Sequence, residues 1–158
     1  RTLTTGSPDI GGSRASICNM AAEELGIDVS KINPIIADTS SLGFNFLSAG
    51  SRTTFACGMA TIEAARKAID NMRERVAKIW EVPVEAVVWE NGAARPASSN
   101  AGEFDPMTLP EIAKIAPKTG GPISGHAEIN AQGAGPGFGA HMVDVEVDKE
   151  TGHVKILL

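Results

Sequence analysis

Tyrosine is absent from this chain, and phenylalanine and tryptophan together make up only 4% of it. A surface that stacks nucleic-acid bases needs aromatic platforms, so this composition speaks against one. Positive charge is also short: 14 lysines and arginines face 19 aspartates and glutamates, for a net charge of −5. That balance excludes a general nucleic-acid or anionic-membrane surface. The two cysteines, Cys18 and Cys57, fall in separate predicted helices without a CxxC pair. They supply neither an iron–sulfur cluster nor a zinc site, and they read as buried thiols in a reducing compartment, with the cytoplasm as the expected location. No apolar run approaches the length of a membrane span, and no signal-peptide pattern is present. The three histidines, His126, His141 and His153, stand apart from one another, and no residue stands out as a general base.

What the chain has is glycine, 17 residues of it, gathered into loops. Two of these loops run directly into predicted helices, and each carries an arginine at the junction. The first is Gly6-Ser7-Pro8-Asp9-Ile10-Gly11-Gly12-Ser13-Arg14, and the second is Ser48-Ala49-Gly50-Ser51-Arg52-Thr53-Thr54. A helix start presents unpaired backbone N–H groups and the positive end of the dipole. Glycine lets an anionic or oxygen-rich group approach that backbone, and hydroxyls add hydrogen bonds. Two such loops in 158 residues point to a grip on an extended phosphorylated or polyoxygenated ligand. With a net negative chain, that grip falls to backbone donors and to Arg14 or Arg52. The competing reading is that Gly and Ser serve only as helix caps and turns.

Around these loops the pattern predicts an α+β fold, a mixed sheet packed by two main helices. The first helix is expected over Ser13–Leu25, with Ala15, Cys18, Ala22 and Leu25 as its apolar stripe and Gly26 as its stop. A short strand is expected at Ile32–Ala37, followed by a long loop opened by Asp38-Thr39-Ser40-Ser41. The second helix, about Thr54 to Trp80, carries Ile62, Ala65, Ile69, Met72, Val76 and Ile79 on one face. Its opposite face, with Arg66, Lys67, Asp70, Arg73, Glu74 and Lys78, reads as solvated, and Trp80 as packing. A hairpin is expected around Asn91-Gly92 and a soft connector near 97–106. A capping box, Thr108 to Glu111, opens a short helix ending by Ala116. Ile123–Asn130 reads as a strand. The glycine-rich run Ala131–Gly137 leads into no helix and reads as a flexible connector. A terminal hairpin places Val143, Val145 and Val147 with Val154, Ile156 and Leu158 on one apolar face, and Asp144, Glu146 and Asp148 on a wet one.

Taken in order, several segments resemble the molybdenum-cofactor subunit of the xanthine dehydrogenase and aldehyde oxidase family, the molybdenum hydroxylases. They are Asp9-Ile10-Gly11-Gly12-Ser13 before a helix holding Ala21-Ala22-Glu23 and Leu25-Gly26-Ile27, then Ala37-Asp38-Thr39, then Ala49-Gly50-Ser51-Arg52-Thr53-Thr54 and Gly58-Met59-Ala60, and finally Gly139-Ala140-His141 and Val145–Gly152. The resemblance implies a partial molybdopterin-binding domain over residues 1–158 of a larger subunit. It implies that this chain contributes loops to a molybdopterin cofactor, in plain or dinucleotide form. The intact enzyme would hydroxylate an aromatic heterocycle or an aldehyde, with water as the oxygen source. Iron–sulfur clusters and FAD would sit on partner domains or subunits.

Residue by residue, the first loop is similar to the family's Gly-Gln-Gly stretch. This puts Gly11, Gly12 and Ser13, with Arg14 adjacent, at the cofactor. Gly12 and Ser13 stand where the family has glutamine and glycine, so one side-chain amide contact is missing. The second loop is similar to the family's Ala-Ser or Gly-Ser stretch beside the molybdenum, which puts Gly50 and Ser51 there, with Arg52 and Thr53 adjacent. The family's catalytic glutamate is expected beyond Leu158 and an earlier half-site before Arg1. The expected role is therefore cofactor holding, with no catalytic residue and no metal ligand in this stretch. The alternative is a non-catalytic lobe that packs against a partner subunit.

Overall fold

Two strand–loop–helix units in succession set the geometry. The computed structural model describes residues 1–97, 104–133, 135, 137 and 139–157. Strand β1 (Thr2–Thr5) pairs in parallel with β2 (Asn33–Ile36), Thr2 opposite Asn33 and Thr5 opposite Ile36. Helix α1 (Ser13–Leu25) makes the crossover between them, and the long helix α2 (Arg52–Trp80) follows β2. Gly26 ends α1 in the left-handed region at φ 66°, its N–H donating to carbonyls of the last turn. No larger residue fits there, because a Cβ would stand 2.5 Å from the amide nitrogen of Gly92.

The rest of the chain packs against the other half of α2. Strands β3 (Val87–Glu90) and β4 (Ala93–Pro96) form a hairpin through Asn91 and Gly92. Both turn residues have positive φ, 51° and 74°, as the mirror-image hairpin turn requires. Strand β5 (Met107–Thr108) adds beside β4 and leads into helix α3 (Leu109–Thr119). Glu111 accepts from the Thr108 amide at 2.8 Å, the expected capping box. Strands β6 (Val145–Val147) and β7 (Val154–Ile156) form a separate hairpin.

Two apolar clusters result. One centres on Met72, Val76, Val87 and Ile112, the largest fully buried side chains. The second joins Cys18, Ala21, Ala22 and Ile32. Trp89 ties the halves together by donating from Nε1 to the Leu25 carbonyl at 3.1 Å. Burial pushes the Cys18 thiol above its ordinary range, in keeping with an inert core residue.

The α+β class and both long helices stand as expected, but the strands distribute over three small sheets and a third helix, α3, runs to Thr119, past Ala116. On α1 the buried face turns out to be Ile17, Cys18, Ala21 and Ala22, while Ala15 is exposed. On α2, Arg75 is buried, though it sits beside the solvated belt. Ile123–Asn130 is no strand: alternate residues are half-buried, but the segment pairs with no ladder, and Gly125 within it lies against the α2 backbone at Ala64 and Ala68. The terminal hairpin pairs Val145 with Ile156 and Val147 with Val154, yet all four are exposed, so the apolar face exists but nothing among the described residues covers it. Most of the soft connector near 97–106, parts of the Ala131–Gly137 run and Leu158 lie outside the described residues.

Candidate functional site

Each parallel strand hands over to a glycine-rich loop at its carboxyl end, and each loop starts a helix. The two helices also run the same way. A Cβ on Gly58 would meet the Met20 sulfur, and four residues later on α1, Glu24 binds Arg66 of α2 at 2.7 Å. Both loops therefore open at one end of the molecule. Ser7 fastens them there. Its buried hydroxyl accepts from Asn45 Nδ2 at 3.0 Å and lies 3.0 Å from Cys57 Sγ, joining the first loop to the second and to α2.

The turns share one backbone shape. Gly11 and Gly12 precede α1 with φ of 60° and 78°, and Gly50 and Ser51 precede α2 with φ of 62° and 57°. Glycine takes this conformation freely, whereas at Ser51 it stores backbone strain. All four residues are exposed, and beside each glycine a Cβ would meet nothing within 4 Å, so the turns are open to solvent.

The helix starts differ in what is already satisfied. At α1, Ser13 N–H donates to the Ile10 carbonyl at 3.2 Å, Arg14 N–H to Asp9 Oδ1 at 2.9 Å and Ala15 N–H to the Gly12 carbonyl at 3.0 Å. The Asp9 carboxylate thus occupies the positive end of α1, and the amides of Gly11 and Gly12 have no acceptor among the described residues. At α2, no side chain caps the start, and the amides of Thr53 and Thr54 have no protein acceptor among the described residues. The more open anion-binding start is therefore that of α2.

The two arginines brace loops. Arg14 Nε lies 3.4 Å from Asp9. Arg52 donates from Nη1 to the carbonyls of Leu47 and Phe46 at 3.0 and 3.3 Å, and its guanidinium sits 5.3 Å over the Phe46 ring. Asp38 builds the expected Asx turn, accepting from Ser40 N–H at 2.9 Å and from the Ser41 hydroxyl, which holds its carboxyl below the ordinary range. His126, His141 and His153 are all exposed. The segment after α3 reads in sequence as a strand and a flexible connector, with no part in the site. It runs back along α2 and carries the third glycine-rich loop to the same end, with Gly135 against Phe55.

Paired βα loops with open amides at the carboxyl ends of parallel strands define a ligand-cradling α+β domain. A sequence model of the molybdopterin cofactor-binding domain matches residues 1–158, the whole chain. The chain belongs to the family of molybdopterin cofactor-binding domains, as its resemblance to the molybdenum hydroxylases led one to expect. The fold recurs in the Cu,Mo-CO dehydrogenase in its carbon monoxide reduced state, with a TM-score of 0.69 at 24% identity over 78% of this chain and 16% of that one. Reconstituted CO dehydrogenase from Oligotropha carboxidovorans gives 0.68 at 24% identity, with the same 78% and 16% coverage. Quinoline 2-oxidoreductase from Pseudomonas putida 86 gives 0.68 at 19% identity over 98% of this chain and 20% of that one. The chain thus spans a fifth or less of the length of these solved structures.

Proposed function

We propose that the paired turns form part of a molybdopterin cradle within a molybdenum hydroxylase. Gly50, Ser51, Arg52 and Thr53 supply the open amide cluster, and Gly11, Gly12, Ser13 and Arg14 the facing turn. The observation that carries this reading is the Ser7 hydroxyl, which holds both loops at one end of the fold. The residues present suit such a group: the α2 start offers unpaired donors and no carboxylate caps it. When bound, the cofactor supplies the redox chemistry, here the hydroxylation of an aromatic heterocycle or an aldehyde with oxygen from water.

This chain's residues bind and orient; the proton-moving group belongs to the rest of a larger subunit, and residues 1–158 form one partial domain of it. Iron–sulfur and flavin partners carry electrons away, in the cytoplasm. The rival reading, a packing lobe whose loops only cap helices, draws support from Asp9, which does cap α1. Replacing Ser51 by Trp separates the two. A cradle loses molybdenum because the indole fills the open face of the turn; unchanged metal content contradicts the proposal. Substrate turnover by the isolated chain would equally contradict its assignment as a holding part.

A further inference from the structure

We infer that residues 127–133 form a third wall of this cofactor site, seated on α2 by Gly125; the inference rests on the reading of the paired turns given above. After α3, residues 121–130 alternate between half-buried and exposed, and none of them is paired in a strand. The approach is closest at Gly125. A Cβ there would drive into the carbonyl oxygen of Ala64 and stand 2.7 Å from the Ala68 amide nitrogen. Both atoms are helix backbone, so no side-chain rotation makes room.

From that pin the segment heads toward the start of α2. Glu128 reaches Gly43, where a Cβ would lie 2.5 Å from Oε1, and Gly135 lies over Phe55. Between them opens a cavity of about 510 Å³, with Phe44, Phe46 and Arg52 on one side and Ala127–Ala131 on the other. Arg52, the first residue of α2 and the neighbour of Gly50 and Ser51 in the chain, is the residue of the paired turns that lines this cavity. The wall brings backbone donors and acceptors unclaimed by any ladder, together with the side-chain amide of Asn130. That chemistry suits the hydrogen-bonding edge of a fused nitrogen heterocycle, such as the ring system of a pterin. Gly125 is on this account a positioning residue.

The test is hydrogen exchange on the protein purified from a host that makes molybdopterin, compared with the same protein from a host that does not. Cofactor loading slows exchange at 127–133 by about tenfold or more, as for groups ordered by a ligand. Gly125→Ala removes that protection and lowers molybdenum content by about tenfold. Gly139→Ala, where a Cβ meets nothing within 4 Å, keeps both. Exchange at 127–133 unchanged by loading overturns the inference, and this comparison decides even if Gly125→Ala does not fold. Full metal retention in a folded Gly125→Ala protein overturns it too. Ser51→Trp distinguishes the two levels. If that variant keeps its molybdenum, the paired-turn reading falls; if it loses the metal while Gly125→Ala does not, only the third wall falls.

Discussion

Among the described residues Arg75 is the one buried charge, and replacing it with methionine exposes what it holds. The residue is 8% exposed, and its guanidinium bonds no carboxylate among the described residues. It donates instead to Gly121 O at 2.6 Å, Asn71 Oδ1 at 3.0 Å and Ala116 O at 3.2 Å, with Thr119 Oγ1 and Gly120 O at 3.5 Å. Most of these acceptors form the C-terminal end of α3, where the helix dipole favours a cation. Methionine keeps the apolar stem, so the packing loss of an alanine is avoided. Hydrogen bonds from a charged donor contribute roughly 1.5–3 kcal/mol each, and three short ones are lost. The guanidinium no longer has to be desolvated, which offsets about half of that sum and leaves a net loss of roughly 3 kcal/mol. At about 2–4 °C per kcal/mol for a chain of this size, Tm falls by roughly 10 °C. Thermal and urea unfolding followed by circular dichroism read this directly. Arg75→Lys retains charge without the fork and lands between the two. A loss below about 1 kcal/mol for Arg75→Met would refute the reasoning, because it would mean that the carbonyls of α3 find water as readily as they find the guanidinium.

Other perturbations test other joints. Gly26→Ala forces φ of 66° on a side chain that also meets the Gly92 nitrogen, and it costs roughly 3 kcal/mol in urea unfolding. The Asp38 carboxyl is held low by the Ser41 hydroxyl and the Ser40 amide. A depressed folded value means that the turn's contribution is complete above the ordinary carboxylate range and is lost as pH falls through the depressed value. The protection of the Ser40 and Ser41 amides, measured relative to the intrinsic exchange rate at each pH, therefore falls on acidification in the wild type, and Asp38→Asn loses that acid-induced step. Arg52→Lys keeps the charge but releases one of the carbonyls of Phe46 and Leu47, so proteolysis within residues 44–47 becomes faster while α2 keeps its helicity.

The parts of this architecture visible in the sequence are those governed by local rules. Helix α1 was bounded at Ser13 and Leu25 by its glycines, the hairpin turn by Asn91-Gly92, and the start of α3 by Thr108 and Glu111. The glycine-to-helix junctions marked the two turns that precede α1 and α2. What local pattern could not supply was pairing between distant segments. Strand β1 is only four residues long and acquires its role from β2, some thirty residues away. Arg75, beside a belt that reads as solvated, carried no signal of its own, and its burial comes from α3 folding over it. The segment 123–130 alternates like a strand, yet it pairs with no ladder. Its clue was Gly125, whose missing side chain marks the closest approach to α2. Nor did sequence distinguish the two helix starts. The Asp9 cap that fills α1, and the absence of any cap on α2, emerge only from the folded loops.

If two turns, at Gly11–Gly12 and at Gly50–Thr54, hold one ligand between them, residue-resolved amide exchange will show it as the fraction of protein carrying molybdopterin is raised. Protection at both turns then rises together, in proportion to occupancy. Protection at only one turn, or at neither, means that the two turns do not share a ligand.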